Sequence, residues 1–160
     1  MAENDVIENF GLAFEKEGLP RIAGRVIGFL MLNEGPFTLD DLAEKLRVSK
    51  ASASTNARLL EELGILAHSA RPGDRRDYYQ LAENHGERMI ARARQRFQRL
   101  QQLMSEAADA LPAARAGSRT RLREMQAFYE FLLADLDERM ERWRAHRAAM
   151  GSQKSSPAKR

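Results

Sequence analysis

The sequence predicts a mainly α-helical protein that carries one small β-hairpin. Apolar residues recur every three or four positions over most of the chain, which is the period of an amphipathic helix. One pair of short β-prone segments, ILAHSA and RDYYQLA, flanks the sequence RPGD, in which Pro-Gly suits a type II turn.

The composition predicts a soluble protein with a hydrophobic core. Of its 160 residues, 43% are hydrophobic, which is enough to bury the core of one domain. The absence of cysteine excludes disulfide bonds and thiolate metal sites. The first residues show no secretory signal, and the longest apolar stretch, Val26 to Leu32, is too short to span a bilayer. We therefore expect a cytoplasmic protein with no membrane partner.

The formal net charge is +3, but it is unevenly distributed along the chain. Residues 1–70 carry 7 Lys and Arg against 11 Asp and Glu, whereas residues 71–160 carry 19 against 12. A basic second half permits binding to nucleic acid without requiring it. Whether the protein binds nucleic acid therefore has to be judged from where the basic residues lie in each predicted element.

Two helices are predicted at the N-terminal end. The apolar residues of 4–17 form one stripe, so this helix is amphipathic. Gly18-Leu19-Pro20 ends it and starts a second helix over 20–33, with Pro20 in the first turn. The second helix is apolar on most faces, which is typical of a helix buried on several sides. Gly35-Pro36-Phe37 is predicted to be a loop.

Two short helices follow, joined by a tight turn. The first begins with Thr38 three residues before Asp41, the spacing of a capping box. Ser49 is suited to cap the second helix, 49–63, and Gly64 is suited to end it. Both helices are therefore defined by local signals.

Two long helices are predicted in the C-terminal half. Apolar residues from Ile90 to Leu111 alternate steps of three and four, the spacing of a coiled-coil seam. The stretch PAARAGS interrupts this pattern, and a last helix runs over 119–147. Residues 148–160 lack large apolar residues after Met150 and are expected to be disordered.

Two short helices, a tight turn and a basic hairpin follow the order of a winged helix-turn-helix. The predicted fold is therefore a mainly α winged helix-turn-helix, a three-helix core plus a β-hairpin wing, with N- and C-terminal dimerisation helices. The expected organisation is an N-terminal dimerisation helix (1–19), a DNA-binding domain (20–83), long helices for dimerisation that could also bind an effector (84–147), and a disordered tail (148–160).

The helix 49–63 has the chemistry of a recognition helix for the major groove. Its first half, KASASTNAR, has small side chains that allow close approach, together with groups that hydrogen-bond bases or phosphates. At 100° per residue, Ala53, Asn56, Ala57 and Leu60 face the core. The candidate DNA contacts are the cap, the outward residues and the arginines of the wing (70–77): Ser49, Lys50, Ser52, Ser54, Thr55, Arg58, Arg71, Arg75 and Arg76. A small polar helix start or a basic hairpin tip is common on solvated surfaces when it occurs alone. The order and separation of the two in this chain favour a DNA-binding protein.

Two stretches of the sequence resemble the MarR-type bacterial transcription regulators. They are LDDLAEKLRVSKASASTNARLLEELGIL and RPGDRRDYYQLAENHG. GLPRIAGRV and RRDYY look like the branch named for GbsR. The resemblance covers about residues 4 to 110, and the helix 119–147 fits in kind. It implies that Arg76 enters the minor groove, where negative potential is concentrated, and that Asp74 stabilises the wing through an ion pair.

The resemblance also raises two local questions. The turn between the two short helices often contains glycine in this family, whereas Arg47 stands near that place here. Arg47 therefore tolerates the turn conformation, or the turn differs locally. Tyr78 and Tyr79 alternate faces on their strand, so one is expected to pack on the core and the other to be available to a phosphate.

A homodimer is the expected assembly, because a single winged helix reads too few base pairs to be selective. The predicted partner is a pseudo-palindromic DNA duplex, with two recognition helices on one face. Family members dimerise through both chain ends, and the alternative for the apolar stripes is packing within one chain. The candidate dimerisation residues are Phe10, Phe14, Leu122, Phe128, Leu132, Leu136, Met140 and Trp143.

No cofactor is expected, and any small-molecule effector is unknown. Related regulators bind effectors between the dimerisation helices and the DNA-binding lobe, so the resemblance implies that option. The aromatic residues that could line such a pocket, or belong to the core instead, are Phe10, Phe14, Phe128, Tyr129, Phe131 and Trp143.

An enzyme is not expected. The three histidines are separated in the chain, and no phosphate-binding loop, Gly-x-Ser-x-Gly elbow or HExxH motif occurs. The alternative function is a winged-helix protein-interaction module without DNA binding. Such a module would show acidic or large apolar residues on the outward face of 50–58, whereas this chain has Lys50 and Arg58 there, with Arg75 and Arg76 in the wing.

Overall fold

The structure, a computed structural model, describes residues 2–154, and their side chains up to Met150. The described part is mainly helical with one small sheet, as predicted. Its elements in chain order are α1 (Glu3–Lys16), α2 (Arg21–Leu32), β1 (Phe37–Thr38), α3 (Leu39–Leu46), α4 (Lys50–Glu62), β2 (Leu66–Ala70), β3 (Asp77–Leu81), α5 (His85–Ala110), a 3-10 turn (Ala113–Arg115), α6 (Ala116–Ala134) and α7 (Leu136–Lys154). None of these helices is both long and apolar enough to cross a membrane.

The chain divides into two compact units, one ending at Arg92 and the other beginning at Ala93. In the first unit α2 is the central helix, and it begins directly after Pro20, which lies at the N-cap rather than in the first turn. α1 crosses α2 at very short range: a Cβ atom on Gly24 would lie 2.6 Å from the carbonyl oxygen of Phe10, and one on Gly28 would lie 2.8 Å from the Phe10 Cβ. Glycine at these two positions is what allows the approach.

The helix-turn-helix consists of α3, a tight turn and α4. The predicted capping box starts α3: Thr38 Oγ1 accepts from Asp41 N at 3.1 Å, and the Asp41 carboxylate accepts from Thr38 N at 2.8 Å. At the end of α3, Arg47 adopts the left-handed conformation with φ 53°. The turn therefore keeps the geometry that glycine usually supplies, and Arg47 tolerates it.

β2 and β3 form the hairpin that carries the wing, and β1 joins them in an antiparallel sheet in the order β1-β3-β2. Gly73, with φ +81°, and the hydrogen bond from Asp74 N to Arg71 O at 3.0 Å close the turn between β2 and β3. The sequence predicted a loop through Phe37, but Phe37 and Thr38 pair with Tyr79 and Tyr78 of β3. This two-residue strand forms because it pairs with the edge of β3. A sequence pattern within residues 35–38 cannot predict such a pairing.

The second unit contains most of α5 together with α6 and α7. Within it, ion pairs join Arg123 to Asp109 and Arg94 to Asp137. The single last helix expected over 119–147 is instead two, with a break at Asp135, a residue type that competes with helical hydrogen bonding.

The expected disordered tail, 148–160, starts inside α7, which continues to Lys154. The helix extends through Ala148, Ala149 and Met150, which are good helix formers, and continues past Gly151. Residues 155–160 of that expectation lie outside the described residues.

Candidate nucleic-acid interface

The two faces of α4 differ as the sequence predicts. The core face is confirmed, with four residues at most 6% exposed: Ala53, Asn56, Ala57 and Leu60. On the other side Lys50, Thr55 and Arg58 are exposed, and Ser52 and Ser54 are partly exposed. The outward surface is therefore polar, small and basic.

Hydrogen bonds at the start of α4 define what its outward side chains can offer. Ser49 caps the helix by accepting from Ser52 N at 3.1 Å. The Thr55 hydroxyl donates to Ala51 O at 3.0 Å, so its outward chemistry is a methyl group and an acceptor oxygen. Such a group suits contact with a thymine methyl or a base donor.

Lys50 forms an exposed ion pair with Asp40, with 2.8 Å between Nζ and Oδ1. An exposed pair of this kind contributes little to stability. Lys50 can therefore exchange Asp40 for a phosphate at small cost.

The wing holds Arg76 against Asp74 through a bidentate ion pair. Arg76 Nε donates to Asp74 Oδ1 at 3.0 Å and Nη2 donates to Oδ2 at 2.7 Å, while the backbone N–H of Arg76 also donates to Oδ1. The hydrogen bonds from Arg76, followed by that from Tyr78, hold the pKa of the Asp74 carboxyl well below its usual range. The side chain of Arg76 remains 61% exposed. The predicted ion pair is therefore formed, and its guanidinium still faces solvent.

Tyr78 joins the same cluster, and the sequence did not predict this role. Its hydroxyl donates to Asp74 Oδ2 at 2.7 Å and accepts from Arg76 Nη2 at 3.1 Å. Its ring lies under the guanidinium of Arg71, with 4.1 Å from Cζ to the ring centroid. Tyr79 packs in the core as expected for one tyrosine, but Tyr78 is only 7% exposed, so its ring is not free to meet a phosphate. The predicted phosphate contact of the second tyrosine is wrong for Tyr78, because Arg71 and Arg76 of the wing lie over its ring.

Asn56 lies beneath the outward face of α4. Its Nδ2 donates to Ser52 O at 2.8 Å, whereas the buried Oδ1 has no hydrogen-bond partner among the described residues. Asn56 thus occupies a core position with half of its amide unsatisfied.

The candidate dimerisation residues fall in both units. Phe10 and Phe14 stack on each other at 6.2 Å and pack against the core of the first unit. In the second unit, three residues are half-buried, Leu122, Leu136 and Met140, and three are exposed, Phe128, Leu132 and Trp143. Among residues 93–150, Ala108 is the one buried residue. The second unit therefore leaves most of its apolar side chains uncovered.

Of the aromatic residues considered for an effector pocket, Phe131 lines a small cavity of about 100 Å³ together with Leu132, Asp135, Leu136 and Arg139. An open groove of about 420 Å³ in the first unit is lined by the end of α2, the loop after it and β3, at Leu30, Met31, Leu32, Asn33, Glu34, Gly35, Gln80 and Leu81. No group of three or more metal-ligating side chains occurs in the part of the chain that the structure describes.

Fold and site together define a winged helix-turn-helix protein, and comparison with known proteins identifies its family. A family model described as MarR family matches residues 17–77, and one described as MmpR5-like MarR family transcriptional regulator matches residues 84–146. The HTH-type transcriptional regulator MmpR5 of Mycobacterium tuberculosis is 33% identical over 141 residues, which cover 84% of this chain and 86% of that protein. The chain belongs to the MarR family of transcriptional regulators, which are not enzymes.

Two further similarities agree with this assignment. The HTH-type transcriptional repressor OpcR of Bacillus subtilis (strain 168) is 29% identical over 90 residues, 56% of this chain and 49% of that protein. A crystal structure of a transcriptional regulator superposes with a TM-score of 0.82 at 29% identity, covering 89% of this chain and 98% of that one. The GbsR-like branch is not confirmed, because the family model that matches 84–146 is MmpR5-like.

Proposed function

We propose that the protein is a repressor that binds operator DNA as a homodimer, with α4 of each copy in the major groove and each wing in the adjacent minor groove. One observation carries the proposal: a small, polar and basic helix face lies in the same compact unit as a hairpin on which Arg76 is fixed by Asp74. A narrow minor groove attracts such a guanidinium.

The outward residues of α4 divide into two roles. Lys50 and Arg58 supply positive charge for phosphates, which sets affinity and orientation. Ser52, Ser54 and Thr55 are short enough to let the helix approach base edges, and Thr55 presents the methyl group and acceptor described above. In the wing, Arg71 and Arg75 add charge beside Arg76.

The second unit supports a homodimer. Phe128 is 51% exposed and Phe131 is 72% exposed on α6, and a unit that buries one residue needs further apolar contact to be stable. A second copy would cover this surface and bring two recognition helices about 34–36 Å apart, one turn of the duplex.

Repression is supported by the similarity to OpcR, which is a transcriptional repressor. Binding to chromosomal DNA also requires the protein to act in the cytoplasm. No observation favours the alternative interaction module, since the exposed face of α4 is neither acidic nor large and apolar.

Selection of bound sequences from a random duplex library at near-physiological salt tests the proposal. We expect enrichment of an inverted repeat whose half-sites are centred about 10 base pairs apart. The matched control is Arg76→Ala, which should bind more weakly and lose preference for A·T-rich flanks. Enrichment of single half-sites would contradict the homodimer, and no enrichment at all would contradict DNA binding.

A further inference from the structure

We propose that Tyr78 is a positioning residue for DNA binding, which holds two arginines of the wing, Arg71 and Arg76, in fixed relative positions. This inference rests on the proposed function, because it assigns Tyr78 a part in presenting the wing to the minor groove. Strand alternation predicts one tyrosine of the pair on the core and the other available to a phosphate, and it does not predict this positioning role.

The first support is the hydroxyl of Tyr78, which lies between the two members of the ion pair. It donates to Asp74 Oδ2 at 2.7 Å and accepts from Arg76 Nη2 at 3.1 Å. A hydroxyl can do both at once, so it closes a ring of three groups in which each side chain has two partners. Arg76 is thereby held by a second group besides the carboxylate.

The second support is the ring of Tyr78. The Arg71 guanidinium carbon lies 4.1 Å from the ring centroid, within the range of a cation–π contact, while that of Arg76 lies farther away at 5.7 Å. Arg71 comes before the turn and Arg76 after it. The same side chain therefore supports one arginine with its face and the other with its hydroxyl.

Tyr78 is buried outside the contiguous core cluster of the first unit. Tyr79, its neighbour on β3, belongs to the core cluster, whereas Tyr78 does not. Tyr78 is nevertheless only 7% exposed. Its side chain contacts Arg71, Asp74 and Arg76, and its backbone lies between Thr38 of β1 and Ser69 of β2. Arg71 and Arg76 are thus among the groups that cover the Tyr78 side chain, and the same contacts restrict both arginines.

Ordering has a functional consequence, because arginine side chains lose much conformational freedom when they enter a groove. A pair held in place before binding loses less, and its fixed spacing selects a groove of matching width. The hydroxyl carries no charge at neutral pH. Its removal should therefore weaken binding without changing the number of phosphate charges neutralised.

The first experiment measures the affinity of four full-length proteins for the selected operator: wild type, Tyr78→Phe, Arg76→Ala and the double variant. We expect Tyr78→Phe to weaken binding about fivefold, with an unchanged salt slope and a reduced preference for A·T-rich flanks. In the Arg76→Ala background the same change should cost less than about twofold, because the group it positions is gone. Tyr79→Phe is the control and should bind as the wild type does.

The second experiment separates the two supports. Tyr78→Leu removes the ring as well as the hydroxyl, so it should weaken binding further than Tyr78→Phe, and the extra loss should disappear in an Arg71→Ala background. In the free protein, the side-chain Nε–H NMR signal of Arg76 should exchange with solvent faster in Tyr78→Phe than in the wild type. This last measurement needs no DNA.

The outcomes distinguish the inference from the function on which it rests. Wild-type binding by Tyr78→Phe, or an equal loss in the presence and absence of Arg76, overturns the positioning role while DNA binding stands. If Arg76→Ala itself binds as the wild type does, the wing is not part of the DNA interface. The positioning role of Tyr78 and the role of the wing in the proposed function then both fail. Faster Arg76 exchange in Tyr78→Phe would still show that the contact exists in the free wing.

Discussion

Asn56 is the residue whose chemistry fits its surroundings least. It stands in the core row of α4 at 6% exposure, with Oδ1 unpaired and Nδ2 bonded to its own helix. A buried acceptor without a partner loses its hydration and gains nothing in return.

Asn56→Leu should therefore stabilise the protein by about 1 kcal/mol, since leucine has a similar size and no acceptor to satisfy. Urea unfolding, followed by circular dichroism, measures the change. Leu60→Ala, at a fully buried position of the same helix face, is the reference for a destabilising change of about 3 kcal/mol. A loss of stability in Asn56→Leu would contradict the view that the unsatisfied Oδ1 is the dominant cost at this position.

The two kinds of contact on α4 should separate in DNA-binding measurements. Lys50→Ala should weaken binding to all sequences alike and lower the slope of log affinity against log salt by about one unit. Thr55→Val keeps shape but replaces the hydroxyl, and it should change which base is preferred while leaving the slope unchanged. A shift in sequence preference common to both variants would show that this division of roles is wrong.

At the scale of single elements, the capping box of α3 links pH to stability. Hydrogen bonds from Thr38, through its side chain first and its backbone second, lower the pKa of Asp41, and the charge of Arg76 acts in the same direction. A carboxyl whose folded pKa lies below its unfolded value of about 3.9 stabilises the fold above that pH. The contribution is lost as the pH falls through the folded pKa.

Asp41→Ala should consequently cost about 1 kcal/mol near pH 6, and the difference from the wild type should shrink as the pH falls below about 4. Unfolding free energies at pH 6, 4 and 3 measure it. Glu44→Ala, on the exposed side of the same helix, should show no such pH dependence. A difference that stayed constant with pH would mean that Asp41 acts by packing rather than by charge.

Elements with a local signal were predictable, and those that depend on a distant partner were not. The spacing of Thr38 and Asp41 predicts the start of α3. Gly64, with φ +78°, ends α4 as expected. By contrast, β1 depends on the edge of β3, and the break at Asp135 has no proline or glycine to mark it. Hydrophobic period cannot show either feature.

The candidate interface divides in the same way. Helical geometry was enough to assign the outward face of α4, and the family resemblance implied the pair of Asp74 and Arg76. The contacts of Tyr78 could not be predicted from strand alternation. Alternation predicts on which face of the sheet a side chain lies, but not which other side chains cover that face. The unpaired Oδ1 of Asn56 likewise depends on the packing of several helices.

At the scale of the whole molecule, the two units differ in how much they bury. The first has a core built around α2, with Val26, Leu42 and Leu60 fully buried. In the second, Ala108 alone is buried among residues 93–150. The first unit resembles a folded domain, and the second resembles half of an interface.

Phe128→Asp should therefore shift the protein towards monomer, with self-association weakened about tenfold or more. Sedimentation at several concentrations measures it, and DNA affinity should fall with it because both half-sites are then read separately. Met31→Asp, which alters a comparably exposed apolar residue of the first unit, is the control and should leave the assembly unchanged. A Phe128→Asp protein that remained fully dimeric would place the contact elsewhere.

The close crossing of α1 and α2 decides which substitutions this chain can accept during evolution. Adding a single methyl group at Gly24 would place it 2.6 Å from the carbonyl oxygen of Phe10, and neither backbone can yield without moving a helix. Removing most of a side chain from Leu32, which is 47% exposed, leaves that crossing intact. Tolerance to mutation on α2 therefore depends on what surrounds a position and not on the size of its residue: Gly24, which has no side chain, accepts no larger one, whereas Leu32 can be shortened.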